Sequence, residues 1–280
     1  MKNKVCLITG ATSGMGLATA VHLAEMGASL ALVCRNKSKG DAVLKRIIDT
    51  TKNDKIKLFI ADLSSQKEIK TLAVQLKENY PVIDVLINNA GAIFKERTTT
   101  VDGLERSFAL NHIAYFSLTG LLLDNLKAAS EARIVNVASQ ASMMGTINFD
   151  DLQYEKSFKP FKVYAQSKLA NIMFTYFLAE KIKNTNITVN CLHPGVVRTG
   201  FGKEVSGIWG FVFKQMAKLL RSAEKGAETI IWLASAKEIK YVSGKYFKDK
   251  KEIKSPKISY NKELQQKLWA KSEEISGINY

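Results

Sequence analysis

Short apolar runs alternate with amphipathic stretches from one end of the chain to the other. Val5-Cys6-Leu7-Ile8-Thr9 is an unbroken apolar run that ends in glycines, and a helical pattern follows it through Leu17, Val21, Leu23, Ala24 and Ala28. Leu30 to Cys34 is a second run, followed by a helix from about Lys39 to Thr50. Lys57 to Ala61 is a third, followed by a helix from about Gln66 to Asn79, and Val82 to Ile87 is a fourth. A long helix covers roughly Leu104 to Leu126, and Arg133 to Ser139 reads as strand five. After an irregular stretch a helix runs from about Val163 to Lys183, with Ile187 to Leu192 as strand six. Glu224 to Ala234 is helical, Lys245-Tyr246-Phe247 is a short last strand, and Asn261 to Ile275 is a final helix. Strands that are apolar without alternation are buried on both faces, and helices between them supply right-handed crossovers. The pattern predicts one α/β domain over residues 1–280, a doubly wound sheet of about seven parallel strands flanked by helices, with no linker and no internal repeat.

Composition narrows the classes without changing that picture. A chain of 280 residues, 46% hydrophobic and 24% charged, can build its own core, which excludes disordered, collagen-like and wholly coiled-coil chains. Cys6, Cys34 and Cys191 are too scattered for a disulfide scaffold or a four-cysteine zinc site, and His22, His112 and His193 show no metal-ligand spacing. The expectation is therefore no metal. Lys and Arg total 41 against 26 acidic residues, a formal charge of +15, with six lysines between Lys245 and Lys257. A lysine-biased composition with no partner accounts for this charge, and an acidic membrane surface or an anionic ligand also would. No aromatic-basic repeat or zinc finger accompanies it, so no nucleic acid is expected. The positive field favours an anionic cofactor. The longest apolar stretch, around Ile113 to Leu123, carries Ser117 and Thr119 and is shorter than the ~20 residues of a span. Lys2 and Lys4 lead straight into a strand rather than an export segment, so the expected location is cytoplasmic, with peripheral membrane contact left open.

The chemistry starts at Thr9-Gly10-Ala11-Thr12-Ser13-Gly14-Met15-Gly16, which closes strand one and opens a helix. Gly10 permits the tight turn, Gly14 lets backbone approach a pyrophosphate, and Gly16 permits close packing of helix and strand. The helix amino terminus supplies N–H groups and the positive end of its dipole to phosphate. At the end of strand two, an acid would bind the ribose 2′-hydroxyl of NAD, but the chain has Cys34-Arg35 there and no carboxylate before Asp41. A guanidinium in place of the acid suits a 2′-phosphate and favours NADP(H); the alternative is a solvated loop arginine. Asp62-Leu63 ends strand three, where the carboxylate can meet the adenine amino group or cap the next helix, a job Ser64 or Ser65 could share.

Tyr164 and Lys168 stand four apart in a helical segment, which puts them on one face; on spacing alone both could equally be surface residues of that helix. A tyrosine is a poor base at a pKa near 10, and a lysine cation beside it stabilises the phenolate and lowers that value. Ser139 ends strand five, where open sheets bind ligands, and its hydroxyl could hold a carbonyl oxygen for protonation by Tyr164.

Thr9 to Gly16, Asn88-Asn89-Ala90-Gly91, Asn111, Ser139, Tyr164-x-x-x-Lys168 and Pro194-Gly195 occur in that order, and the set resembles the short-chain dehydrogenase/reductase superfamily from Lys4 to about Ser272. Tyr164 to Asn171, His193 to Thr199, Ile147 to Leu152 in the long segment between Ser139 and Tyr164, and Leu268 to Ser272 look like the branch of retinol dehydrogenases, WW-domain oxidoreductase and protochlorophyllide reductases. The amino-terminal anchor common in the retinol enzymes and any WW domain are not seen, so the branch supports NADP-linked carbonyl/alcohol chemistry rather than retinol itself. The resemblance implies a Rossmann-type domain with Tyr164 as general acid/base, Lys168 as its partner, Ser139 orienting the substrate oxygen and Asn111 sustaining a water-linked proton path. It also implies that Gly10, Thr12, Ser13, Gly14, Met15, Gly16, Arg35, Asp62, Leu63, Asn89, Ala90, Gly91, Tyr164, Lys168, Pro194, Gly195, Val197 and Thr199 bind the cofactor, and that hydride leaves the B face of the nicotinamide. A dimer or tetramer is implied, with the helices at Leu104–Leu126 and Val163–Lys183 as contacts. His112 and His193 read as structural.

Residues 200–222 follow the Pro-Gly turn, where the superfamily carries a substrate lid. Phe201, Ile208, Trp209, Phe211, Val212, Phe213 and Met216 could wall an apolar pocket, touch a membrane or pack on the sheet, and Met143 and Met144 could add to the wall. The leading expectation is an NADP(H)-dependent oxidoreductase that interconverts a lipophilic aldehyde or ketone and its alcohol. The alternatives are a catalytically silent nucleotide sensor or scaffold of the same fold, and a basic nucleic-acid or membrane module supported by charge alone.

Overall fold

The computed structural model describes residues 1–197 and 221–280. The strands are β1 (Val5–Thr9), β2 (Ser29–Cys34), β3 (Ile56–Ile60), β4 (Val85–Asn88), β5 (Ala132–Val137), β6 (Ile187–Leu192), β7 (Tyr246–Lys248) and β8 (Lys251–Glu252). They form one sheet in the order β3-β2-β1-β4-β5-β6-β7-β8. β1 to β7 are parallel, as expected, and β8 adds a short antiparallel edge. The turn between β7 and β8 carries Asp249 and Lys250 at φ 50° and 61°, the twist a two-residue hairpin needs.

Alternate residues of each strand feed two cores. Leu7, Val33, Leu86, Ile134 and Val189 face α3 (Gln66–Asn79), α5 (Ala114–Leu121) and α7 (Pro160–Lys181). Cys6, Ile8, Leu30, Leu32, Ile87 and Val135 face α1 (Gly14–Glu25), α2 (Lys37–Thr51) and α8 (Ala223–Ser235). Both faces are therefore dry, which is why the strands read as unbroken apolar runs.

Two local expectations change. The helix expected over Leu104–Leu126 is broken into α4 (Arg106–Phe108), a π-turn (Ala109–Ile113), α5 and α6 (Leu123–Lys127). It starts at Arg106 because buried Glu105 caps it, accepting from Ser107 N at 2.8 Å and Phe108 N at 2.7 Å. β4 begins three residues later than expected, since Ile83 N donates to Asn125 O at 3.0 Å rather than to a strand, and the Asp84 carboxylate beside it accepts from Val5 N and the Lys4 ammonium, both at 2.8 Å. The chain's own α9 (Lys262–Ser276) packs on α5 and α7, the helices expected as subunit contacts. Trp269 of α9 lies 5.0 Å from the Phe116 ring and 5.9 Å from the Phe174 ring, and Tyr280 lies 4.9 Å from Phe116. From Val163 to Tyr176 nearly every residue of α7 is buried. Among the described residues, no helix is long and apolar enough to cross a membrane.

Candidate active site

The chain moves outward from β1 to β3, then returns to β4, so a crevice opens beyond the carboxyl ends of β1 and β4, the switch point where open α/β sheets bind ligands. Thr9 ties its two lips together: its Oγ1 accepts from Asn89 N at 2.9 Å and Ala90 N at 3.0 Å, while Asn89 Nδ2 donates to Thr9 O at 2.8 Å. The glycines follow from this crowding. A Cβ on Gly16 would stand 2.3 Å from Gly10 O, and one on Gly10, at φ 68°, would stand 2.9 Å from Ala90 Cα. Ser13 occupies the N-cap of α1 without a side-chain cap bond, so the first amides of the helix, near Met15 and Gly16, stay open to an anion. Met15 turns toward α8 and packs at Gly226. A cradle this close, with uncapped amides, fits a dinucleotide pyrophosphate.

At the adenosine end the structure brings Arg35 and Asp62 to one corner, with the guanidinium 3.7 Å from the carboxylate and largely exposed. Asp62 Oδ1 accepts from Ser64 N and Ser64 Oγ, while Ser65 caps α3 by accepting from Glu68 N. The helix cap therefore belongs to Ser65. Burial pushes the Asp62 carboxyl up, but the Ser64 bonds and Arg35 hold it below its ordinary value. Leu63 is buried beneath this corner.

At the other end, Ser139, Tyr164 and Lys168 meet beyond β5. Ser139 follows the strand and caps a 3-10 turn (Gln140–Met144) by accepting from Ala141 N at 3.2 Å. Lys168 is 3% exposed, and its Nζ donates to Val137 O at 2.9 Å. That ammonium lies 5.9 Å from the Tyr164 ring centroid. Burial drives the Lys168 pKa down to about 7. Burial raises the Tyr164 phenol above the ordinary value, and the Ser139 hydroxyl offsets part of that rise by hydrogen bonding.

Asn111 sits in the π-turn, a local widening common at functional sites. Its Oδ1 accepts from Ala92 N at 2.8 Å, and its Nδ2 donates to Ala92 O at 2.8 Å and Ser167 Oγ at 3.0 Å. The side chain thus fixes the loop after β4. Gly91 fills the narrow space between, where a Cβ would stand 3.0 Å from Asn111 Oδ1 and 3.1 Å from Lys168 Nζ.

Pro194 and Gly195 follow β6, with Gly195 at φ 78° and its N donating to His193 Nδ1 at 3.2 Å. Val197 bridges to Arg221, whose guanidinium packs on Gly195 and pairs with Asp249. Thr199 and residues 200–220 of the expected lid, with Phe201, Trp209 and Met216 among them, lie outside the described residues.

The two site histidines are built into the fold. His112 is buried, with Nδ1 3.2 Å from Asn171 Oδ1 and Nε2 3.0 Å from Ser272 Oγ, and burial lowers its pKa to about 4. Burial likewise lowers His193 to about 4. Ser167 and Arg221 were not singled out from sequence as site residues. Ser167 lies between Tyr164 and Lys168 on α7, but Arg221 carries no sequence signal, because its partner comes from a hairpin 28 residues away. A separate cleft of about 730 Å³ opens at the amino-terminal ends of β5–β7, lined by Tyr176, Lys183, Lys240 and Tyr241, and holds none of the catalytic candidates. Among the described residues, no group of three or more metal-ligating side chains converges.

Comparison with known proteins places these features in a family. The family model described as short chain dehydrogenase matches residues 4–207. Human retinol dehydrogenase 13 is 38% identical over 282 residues, covering 98% of this chain and 85% of that protein. Human polyprenol dehydrogenase is 38% identical over 283 residues, covering 99% and 86%. A crystal structure of an uncharacterized protein from Mycobacterium paratuberculosis superposes with a TM-score of 0.82 at 27% identity, covering all of this chain and 95% of that one. A Shigella flexneri protein described as a short chain dehydrogenase complexed with NADP shares the fold, with a TM-score of 0.69 at 23% identity, covering 90% and 98%.

Proposed function

The chain belongs to the short chain dehydrogenase family, and on that premise we propose that it is an NADP(H)-dependent oxidoreductase interconverting a lipophilic aldehyde or ketone and its alcohol. The observation that carries this reading is the convergence of Ser139, Tyr164 and Lys168 beyond the same strand ends that form the glycine cradle. When bound, the nicotinamide supplies or removes hydride at the substrate carbon. Gly10 to Gly16 and the amides of α1 hold the pyrophosphate, and Asn89, Ala90, Gly91, Pro194, Gly195 and Val197 line the cleft. Arg35 takes the 2′-phosphate by its fork of donors, with Asp62 and Leu63 beside the adenine. The Ser139 hydroxyl donates to the substrate oxygen. Tyr164 gives its phenolic proton to that oxygen in reduction and takes it back in oxidation. Lys168 gains its proton as negative charge enters the cleft, and its cation then favours the Tyr164 phenolate.

The mouth of the cleft supports an apolar substrate. Met143 and Met144 follow Ser139, Phe161 precedes Tyr164 and Val196 follows Gly195, and they are 57%, 73%, 47% and 60% exposed. Relatives named for retinol and polyprenol suit a long lipophilic alcohol. We place the protein in the cytoplasm, free of nucleic acid, with the lysine-rich β7–β8 hairpin available for peripheral contact with an anionic membrane. Any homo-oligomer uses a face other than the one α9 covers.

The test is a parallel titration of NADPH and NADH with wild type and Arg35→Ala, followed by a carbonyl turnover screen. Arg35→Ala should weaken NADPH at least about tenfold and leave NADH unchanged, as expected for loss of a charge-assisted phosphate contact. Tyr164→Phe should lower turnover at least about 100-fold with cofactor binding retained. NADPH binding without turnover on any carbonyl would install the silent-sensor reading in its place.

A further inference from the structure

Two tyrosines flank the Lys168 ammonium, and the sequence motif accounts for one. Tyr115, on α5, is 1% exposed, and Lys168 Nζ stands over its ring at 5.4 Å from the centroid. Its hydroxyl donates at 3.5 Å to Val137 O, the same carbonyl that accepts from Lys168 Nζ at 2.9 Å. Gly91 closes another side of the ammonium.

We propose that Tyr115 is a positioning residue for the reaction: its ring face holds the Lys168 cation in place. The inference deepens the oxidoreductase reading and rests on it.

The physical case is one of solvation. An ammonium has three donors, and here Val137 O is the oxygen that takes one. A buried cation with so few acceptors sheds its proton unless something else favours the charge. The negative face of an aromatic ring within about 6 Å does so, and its effect grows when water is excluded. Tyr115 is suited to this role because burial holds its own phenol well above the ordinary value, so it stays neutral. The tyrosines thus divide the work. Tyr164 meets Ser139 and is placed for proton transfer, whereas Tyr115 turns its hydroxyl to backbone and only its face to the lysine.

The test varies the ring's charge distribution at nearly constant volume, because truncation would open a cavity in the core. Tyr115→Phe is compared with 4-fluorophenylalanine and 3,4,5-trifluorophenylalanine at position 115. The lysine ¹³Cε resonance that vanishes in Lys168→Met is titrated against pH in each, with NADPH bound, and the pH profile of kcat/KM is recorded alongside. The Lys168 pKa should stay near wild type in Tyr115→Phe and fall stepwise with fluorination by about one unit in all, and the alkaline limb of the profile should follow it. An unchanged lysine titration across the series would overturn the proposal. The resonance is read without turnover, so it stands apart from the reaction itself; full turnover by Tyr164→Phe would instead sink the functional reading.

Discussion

Replacing Lys168 by Met should make the protein more stable at neutral pH while disabling its site. Lys168 is buried and its pKa falls from an ordinary 10.5 to about 7. The unfolded chain therefore holds this proton over a range where the native chain does not. At 1.36 kcal/mol per tenfold change, native burial costs about 5 kcal/mol at and below pH 7. Methionine removes that cost and fills a similar volume. It forfeits the bond to Val137 O, about 1–2 kcal/mol since the Tyr115 hydroxyl still reaches that oxygen, and the contact with the Tyr115 ring, about 1–2 kcal/mol. The net gain is about 2 kcal/mol at pH 7. Its pH dependence is the sharper check. The folded value is depressed, so the penalty vanishes as pH rises toward the unfolded 10.5, and the advantage of the variant shrinks and reverses by about pH 9.5. Urea unfolding of both proteins at pH 7, 8.5 and 9.5 reads the difference directly. A variant less stable than wild type at pH 7, or a difference that does not change with pH, would refute the reasoning.

Two further outcomes follow from other parts of the site. Gly16→Ala puts a methyl 2.3 Å from Gly10 O and 2.6 Å from Asn89 Nδ2, so it should abolish NADPH binding and cost about 3 kcal/mol in thermal denaturation; Gly14→Ala, at φ 54° with open space, should cost only about 1 kcal/mol. His112 is held neutral, with its pKa lowered from 6.5 to about 4, so its share of stability is full above pH 6.5 and is lost as pH falls toward 4. Wild type should lose about 3 kcal/mol more than His112→Asn between pH 7 and 4 in urea unfolding, and parallel losses would show that His112 does not titrate across folding.

Legibility along this chain followed the range of the forces involved. Val5 to Thr9 was readable as a buried strand and Gly10 to Gly16 as a phosphate turn because each is governed by neighbours within a few residues. The helical spacing of Tyr164 and Lys168 was readable for the same reason, and the ordered motifs placed Asn111 and Ser139. The break at Ala109–Ile113 was not readable, since the partners of Asn111 and His112 lie far away in sequence and nothing local favours a π-turn over a straight helix. β8 escaped notice because two exposed residues, Lys251 and Glu252, carry no apolar signal.

The sequence by itself determined the βα rhythm, the parallel sheet, the glycine cradle, the absence of an acid after β2 and the pairing of Tyr164 with Lys168. Those depend on backbone sterics and on periodicities of two and 3.6 residues, which any chain displays in its own order. Only the tertiary structure decided how deeply Lys168 is buried, that Tyr115 lies across it, that Asn111 locks the loop after β4, that Arg221 reaches Asp249, and that α9 covers α5 and α7. These are meetings of side chains far apart in sequence, and the energies that matter there, desolvation above all, are set by what surrounds a group in space rather than by what adjoins it along the chain.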